Sequence, residues 1–408
     1  MPRIHRAKLY RPRLLILCFV LAVLGYFGHL SPQSTLKPGE KASATFLMVT
    51  RNKELSSVLK TIRSVEDRFN SKYGYDWVFA SHEPFHEHFK IAVENLSSGK
   101  VQYELIEADK WGYPEHTDQE RAKMIREKNK RRQMPHGESE RFRLKNRYMS
   151  YEFAKLPALS GYKYYCHVEP FTELKCDIDD DFFAAMERQN KMFGFVDAAI
   201  EPKFTTESLW QATTRFTEEY SALIHANNSM QFVADRSAQR YSQCTFSTNF
   251  EIGRVSFFRS KEYAQLFELL DQNNGFFYER WTASNIHTIA VSLLLPRDVV
   301  MHVDPTGYTD IEGHISCPRV KSVHSQHKCY CDPDVQNAWS RFSCLPKWYA
   351  FTGLKDNYNM DQVKGLVPRF KAPKRKNRYD KKYQDTLNEL FFDDDSTEYD
   401  YVDIDEQE

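Results

Sequence analysis

Between residues 44 and 199, short runs of strand-forming residues alternate with segments of helical spacing. Ala44-Thr45-Phe46-Leu47-Met48-Val49 is a compact apolar run, broken by Thr50-Arg51-Asn52. Leu55, Val58, Leu59 and Ile62 then follow with the period of a helix. Residues 75–80 form a second strand signal, closed by Glu83-Pro84. Residues 149–159 read as helix, 162–168 as strand, 179–189 as helix and 193–199 as strand. Strands and helices in this alternation bury their apolar faces in a layered α/β sheet, so the pattern predicts a doubly wound fold. Ligands of such sheets bind beyond the carboxyl ends of the strands. Arg51, Glu83 and Glu169 all sit at those ends.

Two carboxylates stand out. Glu169 follows the aromatic run Tyr164-Tyr165-Cys166-His167-Val168 and is pinned by Pro170, and Glu251 lies in Asn249-Phe250-Glu251-Ile252. Acids ending apolar runs suit the handling of a metal-bound sugar phosphate, because hard cations take oxygen ligands. Asp179-Asp180-Asp181 resembles a metal cluster, but acids at a helix start serve the helix dipole. The chain has no Gly-rich phosphate loop, no His-Glu-x-x-His and no Gly-x-Ser-x-Gly. Residues and spacing alone therefore reach only an α/β protein with candidate carboxylates.

Arg3, Arg6, Lys8, Arg11 and Arg13 precede an apolar run at 14–27 that Gly28 to Leu30 extend. Basic residues before a span and none just after it place the N-terminus in the cytosol and the body in the lumen. The expectation is a cytosolic tail at 1–13, a transmembrane signal-anchor at 14–30 and a stem at 31–43. A luminal domain at 44–366 and a charged tail at 367–408 would follow. A cleaved signal peptide is the alternative, for which Tyr26-Phe27-Gly28-His29-Leu30 makes a poor cleavage site. So short a span suits the thin Golgi membrane. In the tail, 369–382 is basic and 393–408 acidic, and such blocks are usually disordered. The segment 121–132 is basic and reads as a solvated helix face. Lys plus Arg and Asp plus Glu balance at 56 each, which argues against a nucleic-acid partner.

Cys166, Cys176, Cys244, Cys317, Cys329, Cys331 and Cys344 lie outside the anchor. In an oxidising lumen most should pair, and their odd number leaves one over. A metal knuckle of Cys329 and Cys331 with His324 and His327 is the alternative use of that segment. Asn95-Leu96-Ser97 and Asn227-Asn228-Ser229 are N-glycosylation sequons, making Asn95 and Asn227 candidate modification sites.

Longer strings go further. Tyr164 to Pro170 continues to Cys176-Asp177-Ile178, and Thr248-Asn249-Phe250-Glu251-Ile252 runs on to Phe257-Phe258-Arg259-Ser260. Gly275-Phe276-Phe277-Tyr278-Glu279-Arg280-Trp281 leads to His287-Thr288-Ile289. Tyr75-Asp76-Trp77-Val78-Phe79, Glu83-Pro84-Phe85 and Cys329-Tyr330-Cys331-Asp332 complete the set. In this order they closely resemble the fungal type II α-1,2-mannosyltransferases of glycosyltransferase family 15, over residues 44–366. The resemblance implies a GT-A-type fold with a mixed central sheet, GDP-mannose as donor, Mn²⁺ as cofactor, a mannosylated glycoprotein or mannoside as acceptor, and retention of configuration. It makes Glu169 a metal ligand and Glu251 the nucleophile. Glu251 as an acid that bonds acceptor hydroxyls, with front-face attack by the acceptor, is the other reading. Arg51, Phe142 and Arg147 form the donor-binding set that it implies.

The departures fall near the implied pockets. The family's metal-binding His is matched by Asp310 in the register of Gly307-Tyr308, and an extra residue before Cys317 makes His314 the alternative. Phe142 stands where the family has a donor-contacting Tyr, and Ala283 where it has an Asp. Thr245-Phe246-Ser247-Thr248 replaces a family His-Phe-Trp-Ser. The leading expectation is an active mannosyltransferase working on N- or O-linked glycans. A luminal pseudoenzyme that binds mannosides or partner transferases is the alternative, and a two-carboxylate glycosidase fits the acids but not the strings.

Overall fold

The computed structural model describes residues 36–353, apart from positions 38, 236, 305, 306 and 341. The anchor expected at 14–30 and the charged tail lie outside the described residues. Among those described, no helix is long and apolar enough to cross a membrane.

β1 (Ala44–Val49) is buried along its whole length, which is why it reads as a continuous apolar run. After it, α1 (Leu55–Val65) buries Val58, Ile62 and Val65 on one stripe. β2 (Asp76–Ser81) pairs in parallel with β1. α2 (Glu87–Glu94) leads to β3 (Val101–Leu105), which pairs in parallel with β2 as a half-exposed edge strand. Its polar Gln102 and Glu104 gave no strand signal in the sequence. Beyond α3 (Gln119–Arg131) and α4 (Glu140–Ser150), the chain returns to lay β4 (Tyr164–Val168) in parallel against the other side of β1.

β5 (Glu173–Leu174), α5 (Phe182–Arg188), β6 (Phe193–Phe195), β7 (Ala198–Ile200), α6 (Leu209–Glu219), β8 (Cys244–Phe246) and β9 (Phe250–Arg254) follow. α7 (Lys261–Asp271), α8 (Ala283–Leu294), β10 (Val300–His302), β11 (Tyr308–Thr309) and β12 (Ile315–Ser316) complete the frame. The seven-stranded central sheet has the order β10-β6-β9-β4-β1-β2-β3. β9 runs antiparallel to both β4 and β6, so the sheet is mixed rather than fully parallel. Alternate residues of β1 feed two cores. Phe46 and Met48 pack with α1, and Leu47 and Val49 with Met149 and α8 residues Ile286 and Ile289. The chain runs outward from β1 to β3 and then places β4 on the opposite side. The crevice beyond the carboxyl ends of β1 and β4 is therefore the switch point where α/β sheets bind ligands.

Two sequence expectations change, and a third, that the acidic triplet serves a helix start, is met. The helix at 149–159 is the end of α4 followed by 3-10 turns at Glu152–Lys155 and Pro157–Gly161. Pro157 lacks an N–H and keeps Leu156 out of the helical region, so no α-helix can pass through them. The strand at 193–199 splits, because β6 belongs to the central sheet and β7 pairs with β8 in a two-stranded sheet. In the acidic triplet, Asp181 caps α5 by accepting the Ala184 N–H at 3.0 Å, and Asp179 pairs with Lys72.

Cys176–Cys329, Cys244–Cys344 and Cys317–Cys331 are disulfides, and Cys166 is free and buried. Cys329 and Cys331 are thus consumed in bridges, while His327 Nδ1 donates to the Asp177 carbonyl. The knuckle reading fails for want of thiolates.

Candidate active site

Glu169 follows β4 at the switch point, its N–H donating to the Asn249 carbonyl at 2.9 Å. Its carboxylate is ion-paired through Oε1 with Lys145. Lys145 and Arg141 stand four residues apart on α4, hence on one face. Arg141 Nη2 donates to Glu54 Oε2 at 3.2 Å, and Arg51 Nη2 to Glu54 Oε1 at 3.0 Å. Burial alone would raise the Glu54 carboxyl, but Arg141, Lys145 and Arg51 outweigh it and hold it below the ordinary value. Arg51, His82 and Glu83 line a cavity of about 1010 Å³ that opens at the ends of β1 and β2. Arg51, Arg141 and Lys145 thus cluster around Glu54 and Glu169, with Glu83 as a third carboxylate at the neighbouring cavity, and their N–H groups are of the kind that meet a diphosphate. Sequence reasoning found Arg51, Glu83 and Glu169 and missed Arg141 and Lys145. Ser139 caps α4 by accepting the Phe142 N–H at 3.1 Å. That cap and the Arg-x-x-x-Lys spacing were the available signals.

The second expected metal ligand sits on the β11–β12 turn. Gly307 leads into β11 with φ +47°, where a Cβ would lie 2.4 Å from Cys176 Sγ, so a side chain is excluded twice over. Asp310 Oδ1 accepts the Glu312 and His314 N–H groups at 2.9 and 3.0 Å. Its Oδ2 accepts from Asn249 Nδ2 and Tyr308 OH at 2.8 Å each and from His314 Nδ1 at 2.9 Å. Both oxygens are saturated and the side chain is buried. His314, by contrast, is partly exposed and has Nδ1 turned to Asp310. A histidine oriented by a carboxylate in this way presents its other nitrogen to a metal. In this geometry Asp310 shapes the turn and orients His314, so His314, the alternative, has the freer ligand atom of the two. Burial raises the Asp310 carboxyl, but His314, Asn249 and Tyr308 outweigh it and hold it low.

Glu251 also departs from its expected place. It is fully buried as the second residue of β9, opposite His167 of β4 and Phe195 of β6. Tyr165 OH donates to its Oε1 at 2.6 Å, and His287 Nδ1 lies 2.9 and 3.0 Å from its two oxygens. In this conformation the carboxylate is sealed beneath α8 with both oxygens engaged, which is not the open setting expected of a nucleophile. Arg147 is likewise elsewhere. It makes a bidentate pair with Asp271 at the end of α7, with nitrogen–oxygen distances of 2.8 to 3.2 Å. Phe142 lies on α4, one residue after Arg141. Its ring stacks on His136 at 4.5 Å, with the Arg280 guanidinium 5.4 Å from its centroid. Burial and then Arg280 push His136 down to about 4, while Glu169 acts in the opposite sense. Ala283 is a buried first residue of α8, its N–H donating to Asn146 Oδ1 at 2.9 Å. Asn95 and Asn227 are both exposed, and Asn227 Oδ1 accepts from Arg297 Nε at 2.7 Å.

The profile of the family described as "Glycolipid 2-alpha-mannosyltransferase" matches residues 28–353. This chain is a member of glycosyltransferase family 15. Among its curated relatives, Glycolipid 2-alpha-mannosyltransferase 1 of Candida albicans is 40% identical over 316 residues, covering 78% of this chain and 73% of the relative. The Alpha-1,2 mannosyltransferase KTR1 of Saccharomyces cerevisiae is 38% identical over 311 residues, 76% of this chain and 79% of the relative. In structure, the family 15 chain is similar to Core-mannan synthase A of Aspergillus fumigatus in its Mn/GDP form. The TM-score is 0.72 at 30% identity, over 79% of this chain and 88% of that one. The α/β glycosyltransferase fold expected of the family 15 chain is the one observed.

Proposed function

We propose that this family 15 chain transfers mannose from GDP-mannose to a mannose-bearing glycan of a glycoprotein, with retention of configuration and an α-1,2 linkage. The observation that carries the reading is the cradle at the switch point, where Arg51, Arg141 and Lys145 surround the crevice that Glu169 closes. Arg51 and Arg141, pre-oriented by Glu54, hold the diphosphate. The donor set fits Mn²⁺: Glu169 offers a carboxylate oxygen and His314 an imidazole nitrogen already oriented by Asp310, and Asn249 links the two through its carbonyl and its side chain. When bound, the ion supplies charge to stabilise the departing diphosphate. With Glu251 sealed under α8, the acceptor hydroxyl attacks from the face the diphosphate leaves, and Glu251 with Tyr165 and His287 keeps β4, β9 and α8 in place beneath the site.

We also propose a single-pass anchor at 14–30 in the Golgi membrane with the domain in the lumen. The basic N-terminal flank, the three disulfides and the exposed sequon at Asn95 support that placement. The deciding experiment is release of GDP from GDP-mannose with and without a mannoside acceptor, in Mn²⁺ and after chelation. Acceptor-stimulated, metal-dependent release with a mannosylated product is expected. Donor binding without transfer to any mannoside would make the chain a binding protein instead.

A further inference from the structure

His167 stands two residues before Glu169 on β4, so the two side chains leave the strand on the same face. Its imidazole is buried, with the side chain 3% exposed. Nδ1 lies 2.6 Å from the Thr248 carbonyl oxygen, which can only accept, so the ring hydrogen is on Nδ1. The other nitrogen, Nε2, has no hydrogen-bond partner. It faces Glu169 Oε2 at 3.5 Å, beyond the range of an N–H···O bond. Lys145 takes the other carboxylate oxygen and leaves Oε2 turned towards the ring. Two electron-pair donors are thus held side by side in a buried corner with no hydrogen shared between them. That arrangement is costly unless something positive joins them.

We propose that His167 Nε2 is a protein ligand of the divalent metal beside Glu169. The inference rests on the reading of Glu169 as a metal ligand and adds a nitrogen that neither the family match nor the sequence motifs supplied. Donors bound at about 2.1 Å and at right angles on a metal lie roughly 3 Å apart, close to the separation already present. The Thr248 carbonyl fixes the tautomer and ring orientation, as such partners do for metal-binding histidines. Thr248 and Asn249 then hold both halves of the site: one carbonyl orients His167, the next accepts the Glu169 N–H, and the Asn249 side chain reaches Asp310, which aims His314. Two imidazoles and one carboxylate with open positions select manganese, iron, cobalt or zinc over magnesium and calcium, which prefer oxygen throughout.

The test is Mn²⁺ binding to the purified full chain without nucleotide, read by electron paramagnetic resonance, with Mg²⁺ affinity measured in parallel. His167→Gln and His167→Phe are compared with Glu169→Gln, and thermal melting checks that each variant is folded. Both His167 variants should bind Mn²⁺ at least ~10-fold more weakly. They should narrow the preference for Mn²⁺ over Mg²⁺, and the nitrogen modulation of bound Mn²⁺ should fall from two imidazoles to one. If His167→Gln keeps wild-type affinity and nitrogen modulation while Glu169→Gln loses the ion, His167 is no ligand and Glu169 holds the metal without it. If Glu169→Gln also keeps wild-type affinity, the metal lies elsewhere and the underlying reading of Glu169 fails with it.

Discussion

At the scale of single residues, hydrogen-bond saturation separates groups that can act from groups that support. Spacing favoured Asp310, which keeps the register of Gly307-Tyr308, with His314 as the alternative. The five donors on the Asp310 carboxylate decide between them. By the same criterion Glu251 reads as a supporting group. Glu251→Gln replaces a carboxylate that accepts from Tyr165 and faces His287 by an amide that must also place two N–H groups in a sealed core. We expect it to cost about 1–3 kcal/mol of stability and to leave turnover per folded molecule within ~10-fold of wild type. Chemical denaturation and single-turnover transfer on the same preparation check both parts. A fall of ~100-fold or more at unchanged stability, the size expected for losing a positioned acid–base group, would return Glu251 to the reaction.

At the scale of elements, α4 shows how one helix divides its basic residues. Arg141 and Lys145 share a face and meet the crevice, whereas Arg147 lies about 200° around the axis from Lys145 and is committed to Asp271. Lys145→Met and Arg141→Ala should each weaken GDP binding by ~10-fold or more, the weight of a charge-assisted hydrogen bond, with little change in melting temperature. Arg147→Ala should do the reverse. It leaves Asp271 nearly buried and unpaired, at a cost of about 3 kcal/mol, while GDP affinity per folded molecule stays within about twofold of wild type. Calorimetric GDP titration beside thermal melting reads the two effects apart, and the opposite assignment of effects would place Arg147 in the site. α4 was itself illegible in the sequence. Its high charge hides the apolar stripe, and Met149 near its end reads as the start of the next segment.

At the scale of the whole molecule, the sheet edge is tied to the last described helix, Leu345–Thr352, through His302 of β10. His302 Nε2 donates to the Val196 carbonyl at 3.0 Å, and Nδ1 meets Tyr349 OH at 2.8 Å. Burial pushes this imidazole from the ordinary 6.5 down to about 4. Below pH 6.5 the unfolded chain therefore binds more protons at this group than the folded one, so stability present above that pH is lost as the pH falls towards 4. His302→Gln should flatten the dependence of unfolding free energy on pH in that window by up to about 1.4 kcal/mol per pH unit. Urea melts at a series of pH values measure it, and an unaltered slope would assign the acid sensitivity to another group. By itself the sequence determined the family, the strands β1, β2, β4 and β6 with the helices α1 and α5, Glu169 and Arg51 at the strand ends, and one odd cysteine among the seven outside the anchor. Those features are local: a period, a break or a string of adjacent residues encodes each of them. The tertiary structure alone decided the antiparallel insertion of β9, the burial of Glu251, the exchange of Arg147 for Lys145 and the disulfide pairing. Each of these depends on how segments far apart in the chain meet and which way their side chains then turn, and no local pattern carries that information.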